Sequence, residues 1–177
     1  GETVTAPGFF DGDGVWKARF SPPAEGRWTW RTESNDPGLN GKTGSLLCGP
    51  PSKGNHGPIV IRNKFHFAHA DGAPFYPLGT TLYNWINRDE SLCQETMDTL
   101  RGTAFNKVRF LLIAKWMQYN HVEPEMHPWP KLPDGKFDRE RLTPAVCHHV
   151  ERYVEELQKL VCGLVTKGLA GNGCGFG

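Results

Sequence analysis

Ala104-Phe-Asn-Lys-Val-Arg-Phe-Leu-Leu-Ile-Ala-Lys-Trp-Met-Gln-Tyr-Asn-His121 decides the fold. Val108 to Ile113 reads as an apolar strand that contains one arginine, Arg109. A loop rich in aromatic and amide side chains follows it. A solvated loop has no packing need for Trp116, Tyr119 and Asn120 together. A sugar site does, because rings stack on the C–H faces of a pyranose and amides bind its hydroxyls.

The elements on either side make this strand part of a series. Upstream, Phe75 to Thr81 reads as a strand ending in Gly79-Thr-Thr-Leu-Tyr-Asn-Trp85, and Asp89 to Arg101 as a helix. Asp89 caps that helix, Leu92, Thr96 and Leu100 share one face, and Gly102 ends it. Downstream, Thr143 is an N-cap and Pro144 suits the first helical position. Val146, Val150, Tyr153, Val154, Leu157, Leu160 and Val161 then recur at three and four, as one apolar stripe. Strand, helix, strand, loop and helix begin a βαβ series, hence a parallel sheet.

Residues 1 to 50 differ. Val15-Trp-Lys-Ala-Arg-Phe20 and Arg27-Trp-Thr-Trp-Arg-Thr32 alternate as half-buried strands do, and Thr43 to Cys48 reads as a third strand. Trp16, Trp28 and Trp30 are expected in a core, since large aromatics drive burial between sheets. Asp11-Gly-Asp-Gly14 is a turn, without the distal Glu of a calcium loop. Gly49 to Pro58 is linker-like in composition. Ile59 to Ile61 and Lys64 to Ala70 read as short strands, the second leading into an Asp71-Gly72 hairpin turn.

Composition narrows the function. The 177 residues carry a formal net charge of +1, so there is no electrostatic case for nucleic acid or an anionic membrane. No apolar run is long enough to span a bilayer. Hydrophobic residues make up 38% and charged residues 22%, which suits a folded globular chain. The five cysteines form no C-x-x-C pair and read as scattered free thiols. The histidines lack ligand partners at metal spacing, and no phosphate-binding Gly loop or Ser nucleophile elbow occurs; no cofactor and no metal are expected. The chain opens on Gly1 without an initiator Met, so it reads as processed or cut; secreted, periplasmic and cytoplasmic locations all stay open.

Several stretches together resemble a known family. Phe9 to Phe20 with Pro22 to Thr32 looks like the immunoglobulin-like N-terminal domain of a group of bacterial carbohydrate enzymes. Asn55-His-Gly-Pro58, Phe65 to Thr81, Phe105-Asn-Lys-Val-Arg109 and Tyr119-Asn-His121 resemble the opening of their catalytic domain. That domain is the (β/α)8 barrel of apiosidase-like glycoside hydrolases. The resemblance runs from about residue 8 to 160 and is specific as a combination.

It implies a multidomain β plus α/β chain: a partial immunoglobulin-like β-sandwich followed by the first two βα units of a truncated (β/α)8 barrel. The boundaries implied are 1–50 for the sandwich, 51–58 for the linker and 59–177 for the barrel part. Residues 162–177 are an aberrant tail. Val161 to Val165 reads as the stump of a third strand that the Gly-rich end cannot propagate. A linker and a truncated or frame-shifted end both fit; the second is preferred, since a βαβ series cannot stop after two units and close a core. The family's acid/base and nucleophile glutamates are expected after the fourth and seventh strands, positions this chain does not reach. It would then be an inactive fragment of an enzyme that hydrolyses polysaccharide glycosidic bonds.

The expected sugar-binding residues are Tyr83, Trp85, Arg109, Lys115, Trp116, Tyr119, Asn120 and Trp129, with Asn84 beside them. Active sites of such barrels lie at the carboxyl ends of the strands. Glu123 and Glu125 flank Pro124 in a loop, where catalytic geometry is hard to hold, so neither is assigned to catalysis. Arg109 has two readings. In the resemblance it orients and ionises the nucleophile; alternatively it lies on the outer strand face against a helix carboxylate. The competing function is a carbohydrate- or protein-binding β-module without catalysis. Two barrel units alone should also leave apolar surface of the 144–161 helix and the 108–113 strand uncovered.

Overall fold

The computed structural model describes residues 2–112, 121, 124, 126–160 and the backbone of 164–167. The chain divides into two compact units. One holds the N-terminal residues to Pro7 and Ala18–Tyr76; the other holds Gly8–Lys17 and the chain from Pro77 onward. This division differs from the expected one at 51–58. Residues 59–76 group with the first unit and form their own three-stranded antiparallel sheet.

The first unit is two small sheets. Strands β3 (Gly26–Arg31) and β4 (Thr43–Cys48) form an antiparallel ribbon that pairs Trp28 with Leu46 and Trp30 with Gly44. Strands β5 (Ile59–Arg62), β6 (His66–His69) and β7 (Pro74–Phe75) form the other, in that order. The expected Asp71-Gly72 turn is there. Gly72 has φ +93°, open to glycine without strain, and the Asp71 carboxylate accepts from the Ala73 N–H at 2.9 Å.

In the second unit, β1 (Gly8–Gly12) and β2 (Val15–Ala18) form a hairpin. Asp13 (φ 48°) and Gly14 (φ 75°) make its tight turn, with the left-handed pair that suits the twist of a two-residue hairpin loop. Among the described residues, 8–18 and 26–48 form two two-stranded sheets, β1–β2 and β3–β4. Two strands cannot bury a face, and Trp16 stays 53% and Trp30 46% exposed, against the expectation of a core. Trp28 is half-buried, with Phe20 edge-on at 5.3 Å.

The rest of the second unit is the expected βαβ series. Strands β8 (Gly79–Thr81), β9 (Lys107–Phe110) and β10 (Leu164–Lys167) are parallel, with β9 in the middle. Helix α1 (Glu90–Arg101) connects β8 to β9, and α2 (Pro144–Leu160) connects β9 to β10. A third parallel strand thus forms at 164–167, close to the expected stump at 161–165. The single strand expected at 75–81 is broken into β7 and β8. Pro77 lies between them and has no N–H to donate to a ladder.

One core holds this unit together: Trp85, Ile86, Cys93, Met97, Leu100, Val108, Phe110, Val146, Val150, Tyr153 and Leu157. Each large side chain buried there contributes about 1.5–3 kcal/mol. The α2 stripe is the one the spacing predicts. That stripe is covered by α1 and β9, so α2 does not lie bare as expected for two isolated barrel units; Val161 lies outside the described residues. Helix α1 differs by one position. It buries Cys93, Met97 and Leu100, leaving Leu92 and Thr96 at the margin. The Cys93 thiol donates to the Trp85 carbonyl at 3.0 Å on that buried face. Both α1 ends are as expected: Asp89 accepts from the Leu92 N–H at 3.0 Å, and the Gly102 N–H bonds back to the last turn.

Candidate functional site

The register of the parallel sheet sets the candidate site. Val108 and Phe110 point into the core against the helices, and Arg109 between them is exposed on the other face. The outer-face reading of Arg109 is thereby removed, because the helices cover the Val108 side. Thr81 on β8 and Thr166 on β10 stand in register beside Arg109.

The chain leaves β8 still bound to β9. The Leu82 N–H donates to the Arg109 carbonyl and the Leu111 N–H to the Tyr83 carbonyl, both at 2.8 Å. Leu82 packs against the core, and Tyr83 next to it is 59% exposed. Tyr83 and Arg109 thus lie toward the carboxyl end of the parallel strands, both exposed among the described residues.

Trp85 does not join them. It was expected in the cleft, but it is 5% exposed, edge-on to Phe110 at 6.1 Å and to Tyr153 at 5.0 Å. A 3-10 turn over Trp85–Asn87 directs it inward. Among the described residues its indole N–H has no hydrogen-bond partner, and neither has the Asn84 amide N–H2. Asn84 holds the turn through its carbonyl oxygen, which accepts from the Asn87 amide at 3.2 Å; the same amide donates to the Leu111 carbonyl at 3.3 Å. Sequence reasoning missed Asn87, and nothing in local spacing marks it.

Trp129 is half-buried, with the Arg139 guanidinium 5.9 Å from its ring centre. Lys115, Trp116, Tyr119 and Asn120 lie outside the described residues, as do Glu123 and Glu125.

Asp89 and Glu90, which follow β8 in the chain, both have structural partners. Asp89 caps α1 and is held below the usual carboxylate range by the Ser91 hydroxyl and the Leu92 N–H. Glu90 pairs with Arg152 at 2.7 Å, which likewise lowers its pKa. Burial pushes the Tyr153 phenol and the Cys93 thiol up, so both stay protonated at neutral pH. No group of three or more His, Cys, Asp or Glu among the described residues could hold a metal ion. No helix there is long and apolar enough to cross a membrane.

Comparison with solved structures adds a crystal structure from Bacteroides vulgatus ATCC 8482, described as a "putative glycoside hydrolase". It superposes with a TM-score of 0.83 at 30% sequence identity, over 90% of this chain. The chain has a glycoside-hydrolase-like fold. It spans about a third of that protein's length, 33%. The chain also matches, over residues 1–35, the family model described as "Domain of unknown function (DUF5060)". No curated protein matches it.

Proposed function

We propose that the chain is a portion of a glycoside hydrolase of the apiosidase-like (β/α)8-barrel kind, acting on polysaccharide glycosidic bonds by two-carboxylate acid/base catalysis. Its part in that enzyme is to bind sugar, through Tyr83 and Arg109 together with Lys115, Trp116, Tyr119, Asn120 and Trp129. Residues 1–50 would complete an immunoglobulin-like sandwich with strands of the longer protein. The observation that supports this best is the exposed Arg109–Tyr83 surface at the carboxyl end of a parallel sheet, where such folds hold their substrates. Hydrolysis needs two carboxyls flanking one bond, about 5–5.5 Å apart in a retaining enzyme. Asp89 and Glu90 are committed to a helix cap and an ion pair, so neither serves as one of them.

The test has two arms on the purified chain. Incubation with a panel of plant and bacterial polysaccharides should release no sugar. A glycan array should show binding that Tyr83→Ala and Arg109→Ala both weaken. Turnover by the chain would overturn the division of labour, and binding indifferent to both substitutions would remove this site.

A second reading has one observation in its favour. Trp30 lies across Gly44 on the β3–β4 ribbon, close enough that a Cβ on Gly44 would overlap its ring. An indole packed against a strand and 46% exposed offers a ring on which a sugar can stack. On this reading the ribbon is a carbohydrate-binding module. Loss of glycan binding in Trp30→Ala, with Tyr83→Ala unaffected, would select it.

A further inference from the structure

The β1–β2 hairpin meets α2 through a cluster that neither the fold comparison nor the sugar site uses. The Asp11 side chain is 8% exposed. The Lys17 ammonium pairs with one of its carboxylate oxygens, and His148 Nε2 lies 2.8 Å from the other. One helical turn away Gly12 rests against Pro144, where an added Cβ would stand 3.5 Å from the proline ring carbon. The hairpin lies within residues 1–35, the stretch matched by the domain of unknown function.

We propose that Asp11, Lys17 and His148 form a pH-gated latch that holds the Gly8–Lys17 hairpin on helix α2. A carboxylate whose side chain is largely covered by its neighbours loses hydration, and its partners offset that loss. Lys17 comes from the hairpin itself and cannot tie it to the helix. His148 is the cross-link, and imidazole is the side chain that ordinarily changes charge between pH 5 and 8. Protonated, it forms an ion pair with the Asp11 carboxylate; neutral, it keeps a hydrogen bond to that carboxylate but loses the attraction between opposite charges. The other charged groups at hand are Asp13 in the hairpin turn and Glu151 and Arg152 one turn further along α2. Arg152 is engaged by Glu90.

The acid side has its own limit. Lys17 first, then His148, hold the Asp11 carboxyl below its usual range. Its contribution is therefore present above the ordinary carboxylate range and is lost as pH falls through the lowered value.

Hydrogen–deuterium exchange on the full chain tests this, with rates corrected for intrinsic pH dependence and the β3–β4 ribbon as internal reference. Protection of peptides covering 8–17 should fall about two- to fivefold between pH 5.5 and 8.5 in the natural chain. In His148→Gln, which keeps an N–H donor without the titration, the relative protection should be flat. Asp11→Asn should lower protection and also abolish the pH response. A natural chain without pH response, or variants that track pH as it does, would overturn the latch.

Discussion

His149 donates from Nε2 to the Ile86 carbonyl at 2.8 Å, across 63 residues of sequence. A carbonyl can only accept, so the proton sits on Nε2 of this ring. The bond ties α2 to the 3-10 turn that follows β8, and the imidazole lies 5.1 Å from the Tyr153 ring. The strand end that presents Tyr83 is thus braced by a helix that begins about sixty residues later.

Removing that brace should loosen the turn. His149→Ala is expected to cost about 1 kcal/mol through one lost side-chain hydrogen bond. Urea denaturation of the two chains side by side measures it. Equal midpoints would show that packing alone holds the turn.

Trp85 belongs to the core, so its loss should appear as instability rather than as weak sugar binding. Trp85→Ala should cost about 3–5 kcal/mol, the range for truncating a large buried aromatic. Near-ultraviolet circular dichroism and thermal melting report it. A variant that melts with the natural chain but binds glycans poorly would return Trp85 to the cleft.

Asp89 carries a pH dependence. The Ser91 hydroxyl and the Leu92 N–H depress its pKa, so its cap stabilises α1 above the ordinary carboxylate range. That stability is lost as pH falls through the lowered value. Asp89→Asn keeps a capping oxygen without the charge, and should flatten this part of the acid melting profile while remaining folded at pH 7. Tm measured from pH 7 down to pH 3 would reveal it, and superimposable curves would exclude a role for the carboxylate.

Gly44 and Trp30 make a steric pair. Gly44→Val should drive the indole off the strand, because the new side chain occupies the place where the ring lies. Tryptophan fluorescence should shift to the red as Trp30 gains water. An unchanged spectrum would mean that the ribbon shifts to accommodate the valine.

Much was legible from spacing. The α2 stripe, the Asp89 cap, the Gly102 stop, the Asp71-Gly72 turn and strand β4 all follow from periods and caps, which act over a few residues and so are written locally. The parallel sheet follows too, because strands that alternate with helices leave no other simple arrangement. Strand alternation, with its period of two, likewise accounts for Arg109 lying opposite Val108 and Phe110.

Three things were decided only by the tertiary structure. Trp85 turns into the core because Tyr153 and Phe110, far along the chain, form a wall for it. Trp16 and Trp30 are exposed among the described residues, because alternation marks which face of a strand is apolar and not what packs on it. Asp11 finds His148 across 137 residues. Local periodicity carries which face of an element is apolar. What that face meets depends on distant segments, and only the folded chain brings them together.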